Sequence, residues 1–193
     1  MDQIKERFGD QVSIEWKAFL LRPDGDGGDP AKHEKFVDYT KSWARPAHAE
    51  PSLTFSIWST GNPQPSGSIP PHVAAKAMAE FAPEADAAYH RRIMDAYFAE
   101  NRTISDPQVL TQLAVEVGVD GDRFLEHVAG RQVALAQEAI DEHNEAIENG
   151  ITAAPTVVLD GALPVPGAQD FVAYERWIER LLERRAGSSS TDS

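Results

Sequence analysis

Residues 150–170 read GITAAPTVVLDGALPVPGAQD. Thr156 to Leu159 is a β-branched, apolar run of strand length, Asp160-Gly161 is a hairpin turn signal, and Leu163 to Val165 supplies a returning strand. Gly150 stands where a helix C-terminal cap is expected. Downstream, Phe171, Tyr174, Trp177, Ile178, Leu181 and Leu182 recur at helical spacing and predict a closing amphipathic helix. Upstream, Arg131 to Asn149 places Val133, Ile140 and Ile147 on one line, with Glu138, Asp141, Glu142, Glu145 and Glu148 around the other side. That pattern predicts one long amphipathic helix running into Gly150.

Further upstream the period changes several times. Ile4 and Phe8 are one helical turn apart before Gly9-Asp10. Val12, Ile14 and Trp16 then alternate with polar residues and lead into the apolar Ala18 to Leu21, which predicts a strand. Arg22 to Lys35, RPDGDGGDPAKHEK, is rich in turn formers and reads as a loop. A helix follows around Phe36 to Trp43. Pro46 to Pro71 reads as an irregular excursion around Leu53, Phe55, Ile57 and Trp58. Pro70-Pro71 opens a helix carrying Val73, Ala74, Ala77, Met78 and Phe81, and Tyr89, Ile93, Ala96 and Tyr97 continue a helical stripe after Pro83. Ser105 is the expected N-cap of a helix with Leu110 and Leu113 that Gly118 ends, and Asp120 caps the next through Phe124 and Val128.

With 41% hydrophobic and 25% charged residues in 193, the chain is of ordinary globular composition and long enough for one well-cored domain. Its 31 acidic and 18 basic residues give a net charge of −13, which repels phosphate backbones and anionic lipid. No nucleic-acid or membrane partner is expected. The opening MDQIKERFGD lacks the basic-then-apolar pattern of a signal peptide, so a cytoplasmic protein is expected. The chain has no cysteine, and with it no disulfide, thiolate metal site or thiol nucleophile.

Several separated segments together resemble the DsbA-like thioredoxin superfamily: Gly150-Ile151, Ala154-Pro155-Thr156, Asp160-Gly161 and Gly167-Ala168-Gln169 in the C-terminal run. Trp16 to Asp24 (WKAFLLRPD) and Asp95 to Asp120 (DAYFAENRTISDPQVLTQLAVEVGVD) are similar to its FrnE-type, cytoplasmic branch. The resemblance implies an α/β, thioredoxin-like fold over residues 1–186, with a helical insertion at about 70–130 and a disordered tail, 187–193. In that family a central strand comes first and delivers a Cys-x-x-Cys motif to a helix N-terminus, where the dipole lowers the thiol pKa. The N-terminal central strand and the motif are both absent from these residues. The expectation is that Met1 is an internal start with both lying upstream; the alternative is a genuine short form whose gap another element or chain covers.

The family's proline matching Pro155 is cis, and the backbone before it pairs with extended substrate. The resemblance therefore marks Ala154 and Pro155 as substrate-binding. It implies a thiol-disulfide oxidoreductase-like protein, redox-inactive in this chain, facing an extended peptide or small thiol compound. Two alternatives remain open: a glutathione-dependent member resembling 2-hydroxychromene-2-carboxylate isomerases and kappa-class glutathione transferases, and a non-catalytic peptide-binding module. The sequence does not set an oligomeric state.

No other motif carries chemistry. Asp24, Asp26 and Asp29 suggest a calcium loop, but Asp29 occupies the required glycine position and Lys35 the required glutamate. His33, His48, His72, His90, His127 and His143 include no pair at one-turn spacing, and only His143 between Glu142 and Glu145 resembles a ligand. Ser66 and Ser68 lack the strand-turn-helix setting of a nucleophile. Tyr89, Tyr97, Phe171 and Trp177 sit at core spacing. No catalytic residue, cofactor or metal is expected.

Overall fold

A computed structural model of the protein describes residues 1–23, 30–44 and 54–189. The chain forms two compact units, Met1–Phe19 with His143 onward, and Leu20–Glu142.

In the first unit, α1 (Asp2–Phe8) buries Ile4 and Phe8 and ends at Gly9, whose φ of 53° favours a residue without a Cβ. The strands β1 (Thr156–Leu159) and β2 (Leu163–Pro166) form an antiparallel hairpin pairing Thr156 with Pro166 and Leu159 with Leu163. Asp160 and Gly161 both take positive φ, 54° and 67°, as the Asp-Gly signal requires. The closing helix of this unit, α7 (Phe171–Ser189), is capped by the Asp170 carboxylate, which accepts the Ala173 N–H at 2.7 Å. Ile4, Phe8, Leu159, Val165, Tyr174 and Ile178 make one core, and Arg7 ties α1 to α7 through Glu175 at 2.8 Å and Glu179 at 3.0 Å. Gly187–Ser189 continue the helix, and the rest of the expected tail lies outside the described residues.

The strand expected over Val12 to Leu21 does not form. Val12 and Ile14 do pack on that core, and Val12 is extended, but among the described residues no ladder pairs this segment, and Trp16 is 51% exposed. Alternation encodes which side chains are buried; a strand also needs a hydrogen-bonded neighbour.

The second unit is helical. Its first helix, α2 (Pro30–Thr40), starts inside the expected loop because Pro30 suits a first helical position, and a 3₁₀ turn, Lys41–Trp43, follows it. Asp24, Asp26 and Asp29 of that loop, together with His48 and Leu53, lie outside the described residues. Next come α3 (Ile69–Phe81), α4 (Asp86–Phe98), α5 (Pro107–Glu116) and α6 (Gly121–Glu148), which crosses from this unit into the first. Asp106 rather than Ser105 caps α5, accepting the Gln108 N–H at 2.8 Å; the Ser105 hydroxyl accepts the Ser66 N–H instead. Asp120 caps α6 as expected, through the Arg123 N–H at 3.1 Å.

Two helices expected on either side of Gly130 are therefore one of 28 residues. Its buried line is Phe124, Leu135, Ala139 and Glu142, whereas Val133 is 85% exposed and Ile147 49%. At about 3.6 residues per turn Val133 stands almost opposite Leu135, two residues on, so the Val133–Ile147 line faces away from the buried one. The Glu142 carboxylate is admitted because Lys76 on α3 bridges it and Glu138, each at 2.7 Å. Burial pulls the Lys76 ammonium down, but those two hydrogen bonds and charges outweigh it and the net shift is upward.

Two apolar clusters fill this unit. One joins Val73, Ala77, Met78, Tyr89, Ile93, Leu113, Phe124 and Leu135 from α3 to α6. The other is aromatic, with Phe36, Trp43 and Trp58 buried against Phe55, Tyr97 and Phe98. The irregular Thr54–Ser68 is held to the end of α4 by Asn101, itself at φ 54° and 1% exposed. The Asn101 side chain accepts the Ser59 N–H and donates to the Ser56 carbonyl, both at 3.2 Å, while its own carbonyl accepts from Asn62 Nδ2 at 2.9 Å.

Candidate functional site

The site implied at Ala154 and Pro155 lies at the entry to β1. Thr152 to Pro155 are all exposed, and the Ala154–Pro155 peptide bond is cis, as the resemblance implied. The Thr156 hydroxyl donates to the Ala153 carbonyl at 2.7 Å, and the Gly167 N–H donates to the Pro155 carbonyl at 2.8 Å. Gly167 has φ 76°, and the Gln169 side chain closes the turn by donating to the Pro166 carbonyl at 3.0 Å.

These bonds give the hairpin two unlike edges. Hydrogen-bonded and non-hydrogen-bonded pairs alternate along an antiparallel ladder. The Gly167–Pro155 bond makes that pair a bonded one, so Val157–Val165 and Leu159–Leu163 are bonded too, in the observed register. Thr156–Pro166 and Val158–Pro164 then turn their backbone groups outward. On β2 those positions are prolines, which have no N–H to offer, so its outer edge is blocked. On β1 they are Thr156 and Val158, whose N–H and C=O groups face away from β2. Among the described residues nothing hydrogen-bonds to the main chain of Ala154, Thr156 or Val158 on that side. The arrangement offers a short template, Thr156 and Val158, to which an extended chain adds by main-chain pairing.

Thr156 and Val158 were not singled out from the sequence. The signal was there: two prolines spaced two apart in a returning strand mark one edge as closed, which leaves the other open.

The other residues weighed from the sequence have structural positions. Tyr89 is fully buried and its hydroxyl donates to the Leu110 carbonyl at 2.9 Å; burial raises its pKa. Burial likewise pushes Tyr97 up to about 12, within the aromatic cluster. Phe171 and Trp177 pack against the core of the first unit. The His143 ring meets Phe19 edge-on, with centroids 5.1 Å apart. Ser68 accepts the Arg22 N–H at 3.0 Å. Among the described residues no three His, Asp or Glu side chains converge to hold a metal, and no helix is long and apolar enough to cross a membrane.

A family model described as a DSBA-like thioredoxin domain matches residues 1–179. The chain is 29% identical over 180 residues to the uncharacterized protein YwbO of Bacillus subtilis, covering 88% of this chain and 82% of that protein. Among solved structures it is similar to a Nitrosomonas europaea protein provisionally assigned as a disulfide isomerase, with TM-score 0.70 and 15% identity over 95% of this chain and 88% of that one. The cytosolic disulfide reductase DsbM of Pseudomonas aeruginosa, solved with GSH, matches with TM-score 0.65 and 19% identity over 90% and 85%.

Proposed function

Because the chain belongs to the DSBA-like thioredoxin domain family, we propose that it is a thiol-disulfide oxidoreductase-like protein of the FrnE-type, cytoplasmic branch that binds an extended peptide and performs no redox step itself. Thiol-disulfide exchange begins with attack of a thiolate on a disulfide sulfur. These 193 residues include no cysteine to supply one. The observation that carries the binding half is the open edge of β1, where Thr156 and Val158 present main-chain groups beside a proline-blocked partner strand, with Ala154, marked by the family resemblance, just before it. Pro155 takes no part as an outward donor; its carbonyl is held by Gly167.

The test has two arms. In insulin reduction by dithiothreitol, the chain is expected to leave the uncatalysed rate unchanged, and turnover beyond one equivalent would overturn the redox-inactive reading. In titration with a cysteine-free, β-branched hexapeptide, saturable binding is expected, and its absence up to millimolar peptide would overturn the binding half. A glutathione-dependent role is the second reading, favoured by the GSH-bound DsbM likeness. Saturable glutathione binding without peptide binding would select it.

A further inference from the structure

A groove of about 400 Å³ lies between the end of α3 and the first half of α6, lined by Phe81, Arg123, Glu126, His127, Gly130 and Arg131. It is a shallow groove, open to solvent, with charged walls around the Phe81 ring. We propose that it binds a zwitterionic amino acid with a flat apolar side chain, the ammonium on Glu126, the carboxylate on Arg123 and the side chain against Phe81.

The charges in the groove are not equivalent. Glu80 holds Arg131 in a two-pronged pair at 3.0 and 2.7 Å and sits 3.1 Å from His127 Nε2, so these groups form a wall. Arg123 and Glu126 have no ion-pair partner among the described residues. They stand three apart on one helix, with Cβ atoms about 5–6 Å apart, and an Arg placed before an acid is the weaker order for pairing along a helix. That spacing suits two opposite charges carried on a single α-carbon. The Phe81 ring supplies the apolar surface: the Arg123 guanidinium lies 5.8 Å from its centroid and the His127 ring 5.4 Å.

Gly130 is the independent sign. Glycine inside a helix costs about 1 kcal/mol relative to alanine. Packing does not demand it here, since a Cβ at Gly130 meets nothing within 4 Å. Gly130 lines the groove, where a long side chain would stand over it. A dianion such as phosphate faces the Glu80 and Glu126 carboxylates; a zwitterion meets a complement for each of its charges.

L-phenylalanine is the probe, titrated by calorimetry or amide shifts into the full chain. Twelve heavy atoms at ordinary ligand efficiency correspond to a dissociation constant of roughly 1–5 mM. Phenethylamine and 3-phenylpropanoate, each lacking one charge, are expected to bind at least about tenfold more weakly. Inorganic phosphate should not compete. Gly130→Leu raises helix propensity while filling the groove, so it should abolish binding without lowering the melting temperature. No saturation by 20 mM (about four times the weaker limit), equal binding of the single-charge analogues, or full binding by Gly130→Leu each overturns the proposal.

Discussion

The Gly167 N–H donates to the Pro155 carbonyl at 2.8 Å, and this bond sets which backbone groups of β1 face outward. Through the ladder's alternation it turns Val157 and Leu159 toward β2 and Thr156 and Val158 away from it.

A pair of proline substitutions tests that assignment. Val158→Pro removes an N–H that the hairpin does not use, so stability should change by less than about 1 kcal/mol while peptide binding is lost. Val157→Pro removes a ladder donor and strands the Val165 carbonyl, and should cost at least about 2 kcal/mol. Denaturant unfolding of both variants separates them. Equal destabilisation would mean that the alternation is misassigned.

Asn101 should matter to stability despite lying in a connection. Asn101→Ala removes two side-chain hydrogen bonds, to the Ser59 N–H and the Ser56 carbonyl, made by a residue that is itself 1% exposed. A loss of about 2–4 kcal/mol is expected, part of it from forcing a residue with a Cβ and no polar side chain into φ 54°. Urea midpoints check this, and a change under about 0.5 kcal/mol would contradict the role assigned to it.

Acid should weaken the second unit through two carboxylates. Hydrogen bonding from Arg131 holds Glu80 below its ordinary 4.5, against burial and with help from His127. Burial raises Glu116, but hydrogen bonds from Arg102 and Arg92 outweigh it and hold it below 4.5 as well. A depressed carboxylate contributes stability that is present above its unfolded value and lost as pH falls through the folded one. The melting temperature should therefore hold from pH 7 to 5 and drop below about 4.5. The double variant Glu80→Gln, Glu116→Gln should start lower and fall less steeply. An unchanged slope would remove these two groups from the acid response.

The sequence was most legible where one local pattern suffices. The hairpin, its Asp160-Gly161 turn and the helices carrying Met78, Tyr89 and Leu113 are written in short-range spacing and turn chemistry, and they form as expected. It was misleading where the outcome depends on a distant partner. Val12 to Leu21 has the side-chain alternation of a strand but no ladder neighbour among the described residues. Gly130 does not end its helix, because Phe124 and Leu135 on either side are both buried in one core. Ala154 and Pro155 came from family resemblance, whereas Thr156 and Val158 required the register, which sequence leaves unspecified until Pro155 and Gly167 are seen to bond.

Amide hydrogen exchange at β1, read residue by residue, tests the central claim most directly. Without ligand, Val157 and Leu159 should be protected by their bonds to β2 while Thr156 and Val158 exchange freely. Saturating cysteine-free peptide should then slow Thr156 and Val158 and leave Val157 and Leu159 as they were. Protection of Thr156 and Val158 before peptide is added, or no change when it binds, would contradict the account.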